Sequence, residues 1–289
     1  MEADDNDQDS TFGDGSSSTG GSTTTSIRSA ITKYEFEHGR RYHAYKAGRY
    51  VFPNDEKELE RMDIEHHNQG LQLGALHLAP IGVPQHVLDV GTGTGVWAID
   101  MADRFPSATV IGIDLSPVQA TWVPPNAKFE VDDFEEEWTF GADKFDLVHM
   151  RHLLSSVSNY VRLYKQAFNA IKPGGWLEVN EVALPVFCDD GTFPEDSASV
   201  KWADWFDEAC IKFGRPVPKL DQYKPWLEQA GFVDVQERIL KRPTNDWPKD
   251  PSMKEIGRVS DLDFISSTVC LRRQSLPAST ISKVSKASR

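Results

Sequence analysis

From Gln85 onward, short apolar runs alternate with amphipathic segments. "HVLDV" has the form of a short buried strand and "GVWAIDMADRF" that of a helix. "ATVIGIDLS", "AKFEVDDF" and "KFDLVHM" continue as strands, "YVRLYKQAFNAI" as a helix and "GGWLEVNEVAL" as a fifth strand. Two amphipathic helical segments follow, near Ser197–Phe213 and Asp221–Ala230, and "GFVDVQERIL" reads as a sixth strand after a stop at Gly231. Strands separated by helices require right-handed crossovers. The pattern therefore predicts an α/β fold with a doubly wound, mostly parallel sheet.

A helix precedes the sheet. Pro53 stands before it, Asp55 is its N-cap, and Glu58 completes a capping-box pattern. Leu59, Met62, His66, Gln69, Leu73 and Leu76 recur at three- and four-residue steps, so they share one face. Pro80 is the stop. His66 and His67 are adjacent and point about 100° apart, so they cannot chelate one metal ion together. No metal site is expected.

The ends of the chain lack this patterning. Residues 1–30 are acidic and then Ser/Thr/Gly-rich, and are expected to stay disordered because they have almost nothing apolar to bury. Residues 31–84 form an N-terminal arm and helix. In "YEFEHGRRYHAYKAGRYVFP" aromatics interleave with bases, which fits either nucleic-acid stacking or an arm that lays Tyr and Phe onto the domain. The acidic remainder favours the arm. The main domain is expected over 85–258, with a helical insert at 190–230. The tail, 259–289, is serine-rich and basic, and most of it reads as disordered. Arg272 and Arg273 give only a weak nuclear-localisation pattern.

The chain has 289 residues, with 44 acidic against 31 basic and a formal net charge of -13. Such a surface repels phosphate backbones, so nucleic acid is disfavoured as the main partner and a cationic ligand suits the field better. Cys188, Cys210 and Cys270 form no CxxC and read as reduced thiols. The acidic N-terminus is no signal peptide, and no apolar run approaches the ~20 residues that span a bilayer. The expectation is a protein of cytosol or nucleus without a membrane partner.

The chemistry concentrates in "VLDVGTGTGVWAID". A glycine-rich turn after a first strand lets a ligand sit on backbone N–H groups at a helix N-terminus. Gly91, Gly93 and Gly95 give G-x-G-x-G, and Val96 stands where the dinucleotide fingerprint needs its third glycine. Asp89 precedes the loop, where a carboxylate facing the ligand would repel a diphosphate but attract an ammonium and a sulfonium. Asp114 ends the second strand and is placed to accept both ribose hydroxyls. Asp133 and Phe134 end the third strand, fit to meet an adenine amino group and cover its ring. Asp132 is an alternative to Asp133, and the run "DDFEEEW" also reads as a solvated face. S-adenosylmethionine fits all of these features.

Residues 85–181 resemble the seven-stranded, Rossmann-like (class I) methyltransferases. The pieces that carry the resemblance are "VLDVGTGTG", "IGIDLS", "VDDF", "FDLVHM" and "IKPGGWLEV", in that family's order and spacing. It implies a glycine loop under the methionine part, ribose on Asp114 with Leu115 beside it, and adenine at Asp133. It also implies that Met150 lines the cofactor, although Met150 equally reads as core. More narrowly, "RRYHAYKAGRYVFPNDEKELERMDIEHH", "FDLVHMRHL", "KPGGWLEVNE" and "DWPKDPSMKEIGR" are similar to the fungal LaeA-like methyltransferases. That likeness covers roughly residues 34–258. It implies a fungal source and a regulatory or tailoring role in secondary metabolism. After "KEIGR" the family continues with a helical stretch and a final strand, whereas this chain continues with its serine-rich tail. The final strand is therefore expected to be missing or altered, with the sixth strand left partnerless, as an altered reading frame or splice form would produce.

Methyl transfer from a sulfonium needs alignment more than a dedicated nucleophile. A general base is needed only for a protonated hydroxyl or thiol acceptor. In "HMRHLLSS", His149 and His152 lie three apart, and His152, just beyond the strand, is the better candidate base; a hydrogen-bonded structural histidine is the plainer reading. The Asn/Asp-Pro-Pro-aromatic signature of amide and base N-methyltransferases is missing. Trp202, Trp205, Phe206 and Tyr223 of the insert fit a substrate lid or, at helical spacing, core packing. Two functions stay open. One is a methyltransferase acting on a small metabolite or protein. The other is a regulatory interaction protein that keeps the fold and works through protein partners.

Overall fold

In the computed structural model, the described residues are 34–183, 194, 196–243 and 245–260, with the backbone of 265–272. A short antiparallel hairpin, β1 (Glu35–Glu37) and β2 (Arg40–Tyr42), leads to α1 (Glu56–Leu73). Asp55 caps α1, its Oδ1 accepting the Glu58 N–H at 3.1 Å. The helix ends earlier than its apolar face suggests, because Gly74 takes a left-handed conformation (φ 66°) and its N–H returns to the Gly70 carbonyl. Leu76 thus lies outside the helix.

The sheet elements follow in the expected alternation. They are β3 (His86–Val90), α2 (Val96–Arg104), β4 (Thr109–Asp114), β5 (Ala127–Val131), β6 (Phe145–Arg151), α3 (Tyr160–Ala170) and β7 (Ile171–Ala183). Then come α4 (Ala198–Lys212), α5 (Leu220–Ala230), β8 (Val233–Lys241), α6 (Pro251–Val259) and β9 (Ile265–Arg272). The seven-stranded sheet has the order β5-β4-β3-β6-β7-β9-β8. Strands β3 to β7 pair in parallel, and β9 runs antiparallel to both neighbours. The chain starts in the middle at β3 and winds outward in both directions. The switch point therefore falls between β3 and β6, where ligands of such sheets bind beyond the carboxyl ends of the strands.

Alternation along the strands sorts the core into two layers. Leu88, Val90, Ile111, Ile113, Val148 and Met150 face α3 and α5. Val87, Val110 and Leu147 face α2, where Trp97, Ala98, Met101 and Ala102 meet them. Both faces are covered, which is why the central strands read as nearly continuous apolar runs.

The final strand, expected to be missing or altered, is present. "ISSTVCLR" forms β9, registered against β7 (Val179↔Val269) and β8 (Glu237↔Val269), so the sixth strand has its partner. Backbone ladders on both sides hold such a strand whatever serine it carries, and Ile265, Thr268 and Val269 suit a pleated backbone. The expectations for residues 1–30, for the beginning of the insert and for the rest of the tail lie outside the described residues. Cys210 is a buried free thiol. Among the described residues no helix is long and apolar enough to cross a membrane, and no group of three or more His, Cys, Asp or Glu is placed to hold a metal ion.

Candidate functional site

The glycine loop turns sharply off β3. Gly91 and Thr92 both donate their N–H to the Ile113 carbonyl of β4, at 2.9 and 3.0 Å. Gly91, Gly93 and Gly95 have φ of 69°, 56° and 82°, a region costly for any residue with a Cβ. Space is short as well. A Cβ on Gly91 would meet Leu153 Cδ2 at 2.5 Å, and one on Gly93 would meet Met62 Sδ at 3.1 Å. The loop is thus roofed by α1 and flanked by the segment after β6.

Of the residues singled out from sequence, Gly91, Gly93, Asp114, Leu115, Asp133, Phe134 and His152 line one cavity at the switch point. Asp114 ends β4. Its Oδ2 accepts the Gly93 N–H and its Oδ1 the Ser116 N–H, both at 2.9 Å. Burial pushes its carboxyl up to about 6, against the lowering effect of those backbone bonds. Asp133 also faces the cavity, and Asp132 does not. The Asp132 side chain accepts the Asp133 N–H at 2.8 Å. Asp133 Oδ2 takes a 3.0 Å bond from Lys46 Nζ of the arm, and its Oδ1 takes the Glu135 N–H at 3.0 Å.

Three of the residues read from sequence as cofactor-binding, Asp89, Met150 and Gly95, do not line the cavity. Asp89 was expected to face the ligand. It is 3% exposed, and both its oxygens are engaged within the protein: Oδ2 accepts from Thr92 Oγ1 at 2.6 Å and Oδ1 bonds His149 Nδ1 at 2.8 Å. Strand parity explains this. Asp89 shares the α2 face with Val87, and His149 is its register neighbour on β6. His149 stacks on Trp97 of α2 with ring centroids 3.7 Å apart. Asp89 therefore anchors the loop from below. Met150, on the opposite face, is core. Gly95 serves as the N-terminal boundary of α2, its missing Cβ leaving room for Phe129.

His152 has φ 53°, and its Nε2 lies 3.2 Å from Gln69 Nε2 of α1. As the Gln69 amide donates, this imidazole nitrogen accepts. Burial lowers the ring to about 4, so it is neutral at pH 7. Neutrality is the form a general base needs, but a proton is held weakly there. Trp202 and Trp205 lie exposed on α4, Tyr223 is buried in the core, and Phe206 stacks on Trp202; none of them lines the cavity.

The roof was not read from the sequence as part of the site. Tyr50 and Asn54 of the arm, and Leu59, Met62 and Glu65 of α1, line the cavity from above. Lys46 and Arg49 tie the arm to Asp133, Glu135 and Glu136, and Arg215 joins them on Glu135. Their signals were present in the basic-aromatic arm and in the apolar face of the helix. Nothing in periodicity, however, distinguishes a face that covers a core from one that covers a cavity.

Residues 64–237 match the model of a methyltransferase domain family. The methyltransferase pytC of Aspergillus terreus is 40% identical over 84% of this chain and 76% of its own length. The secondary metabolism regulator LAE1 of Cochliobolus heterostrophus is 43% identical over 77% of this chain and 75% of its own. The protein-methionine methyltransferase laeA of Emericella nidulans is 34% identical over 81% of this chain, which spans 63% of that protein. Among solved structures, a chain from the complex of the Haloferax volcanii Trm112 methyltransferase activator with a methyltransferase superposes with a TM-score of 0.54. It is 17% identical, over 77% of this chain and 96% of that one. With the sheet order and the switch-point cavity, these likenesses place the chain plainly: it belongs to the methyltransferase domain family, as a LaeA-like member with pytC and LAE1 among its relatives.

Proposed function

We propose that the chain binds S-adenosylmethionine in the switch-point cavity and transfers its methyl group to an acceptor of fungal secondary metabolism, a small metabolite or a protein. One observation carries this reading: the Asp114 carboxylate opens onto the same cavity as the positive-φ backbone of Gly91 and Gly93. The residues present fit the group. Asp114 would accept the ribose hydroxyls, the Gly91–Gly93 backbone would lie beneath the amino-acid part, and Asp133 with Phe134 would meet the adenine. Val96 begins α2 where a dinucleotide site has glycine.

The cofactor, when bound, supplies a methyl group already activated on a sulfonium. The chain's own work is alignment and exclusion of water, and good alignment contributes roughly 7–11 kcal/mol. Met62 and Leu59 roof the cavity with apolar surface. His152 is the candidate base for a hydroxyl or thiol acceptor. A second reading, a regulatory protein that binds the cofactor and acts through protein partners, is favoured by the regulator LAE1 among its relatives.

Calorimetry with S-adenosylhomocysteine tests the cofactor site. The wild type is expected to bind, and Asp114→Ala to bind roughly 10- to 150-fold more weakly, the equivalent of one charge-assisted hydrogen bond of ~1.5–3 kcal/mol. No heat from well-folded wild type would overturn the cofactor reading; equal affinities would remove Asp114 from its role. Methyl transfer from labelled donor into host extract then separates the enzyme from the regulator.

A further inference from the structure

Among the described residues four arginines line the cavity: Arg49, Arg61, Arg151 and Arg215. Three are ion-paired, Arg49 and Arg215 with Glu135 and Arg61 with Glu58. Arg151, the last residue of β6, has no carboxylate within 4 Å among the described residues. Its one hydrogen bond among the described residues runs from Nη1 to His66 Nδ1, at 3.1 Å. Because that imidazole nitrogen accepts, the ring proton must sit on Nε2, which donates to Asp100 Oδ2 at 2.8 Å. The chain Asp100–His66–Arg151 therefore spans α2, α1 and β6 with a single consistent set of donors. It fixes the guanidinium through one nitrogen and leaves its remaining N–H groups for the cavity. Burial holds Arg151 below its ordinary range, outweighing the more distant pull of Asp89, Glu65 and Asp100, none of which pairs with it directly.

Such a cation calls for an anion from the ligand. The strand order says which one. With adenine at β5 and ribose on β4, the rest of the cofactor runs across β3 toward β6, in the order β5-β4-β3-β6. Arg151 lies at that far end. It shares the α2 face of β6 with His149 by strand parity, the side on which the glycine loop enters α2. We propose that Arg151, oriented by His66 and Asp100, binds the α-carboxylate of the cofactor's amino-acid part. This rests on the cofactor reading above. It gives a role to a histidine of the α1 face that neither the core nor a metal site explains. His66 is a positioning residue; Arg151 makes the contact.

The test compares two probes on the full chain by calorimetry. S-adenosylhomocysteine carries the carboxylate; 5′-methylthioadenosine keeps the nucleoside and thioether but lacks the amino acid. Arg151→Met is expected to weaken S-adenosylhomocysteine about 10- to 100-fold, the range of a charge-assisted bond, and to leave methylthioadenosine within about twofold. His66→Ala should shift the ratio of the two affinities the same way, by a smaller factor. Unchanged S-adenosylhomocysteine binding by Arg151→Met would overturn the proposal and leave an acceptor anion as the partner of Arg151. Should that variant lose both probes, Arg151→Lys decides: a selective loss of S-adenosylhomocysteine supports the assignment, and a parallel loss overturns it. If wild type binds neither probe, the cofactor reading fails first, and this proposal with it.

Discussion

Glu181, near the end of β7, is 1% exposed. Its Oε1 accepts the Leu153 N–H at 2.8 Å, which ties β7 to the segment flanking the glycine loop. Among the described residues its Oε2 has no hydrogen-bond partner, and neither do the hydroxyls of Tyr160, Tyr164 and Tyr223, whose ionisation the Glu181 charge opposes. Burial raises its carboxyl from 4.5 to about 8. A raised pKa means the folded state keeps a proton that the unfolded state releases. The contribution to stability is therefore fully present below 4.5 and is lost as pH rises through about 8. Glu181→Gln removes the ionisation while keeping the acceptor for Leu153. Relative to wild type, its melting temperature should rise between pH 5 and pH 8, at up to about 1.4 kcal/mol per pH unit. Parallel stability curves would show that Glu181 ionises in place. That Gly91, Gly93, Asp114 and Asp133 share one cavity was legible in the sequence, because a strand end and a glycine turn each leave a local mark. Asp89 was misplaced because its side chain follows the parity of β3 toward α2, a direction set by which helix covers which face. Arg151 left no mark of its own, since its meaning lies in the acids that fail to reach it.

Helix α1 is held to the body of the protein by polar contacts near its C-terminal half. Glu65 pairs with both terminal nitrogens of Arg242, at 2.6 and 2.7 Å, and Asn68 donates to Ser260 Oγ at 3.1 Å. Gln69 and Asn180 exchange amide bonds at 3.0 and 3.3 Å. Glu65 and Arg242 side chains are only 14% and 6% exposed, so removing one partner strands the other. Arg242→Met should cost about 3–5 kcal/mol. Because α1 roofs the cavity, S-adenosylhomocysteine should also bind more weakly. A variant that melts lower but binds unchanged would show that α1 does not need this tie to close the site. The helix was legible from its cap and its face, as were α2 to α5 from their periodicity. The hairpin β1–β2 was not, since three-residue strands are too short to show alternation. Helix α6 carries an Asp250 cap and Pro251 at its first position, signals that are local but brief.

At the scale of the whole molecule, the parallel half of the sheet needs its antiparallel half. β7 and β8 run in the same direction and do not touch; β9 fills the gap, pairing from Trp176↔Arg272 to Ala183↔Ile265 on one side and reaching Lys241↔Ile265 on the other. Without it, two strands would expose unpaired backbone, the kind of edge that invites aggregation. Composition hid this strand, because serine and arginine lower hydropathy while the ladder depends on backbone alone. A backbone substitution is therefore the sharpest test. Val269 faces Val179 on one strand and Glu237 on the other, so its N–H belongs to one ladder or the other. Proline there removes that donor and strands a carbonyl, at a cost of about 1–3 kcal/mol before any steric clash. For a domain of this size the melting temperature should fall by roughly 2–12 °C, with more aggregation on heating. Val269→Ala, which keeps the N–H, should fall less. If the proline variant melts with the wild type, residues 265–272 do not form the strand that completes the sheet, and the partnerless sixth strand of the sequence pattern returns as the better description.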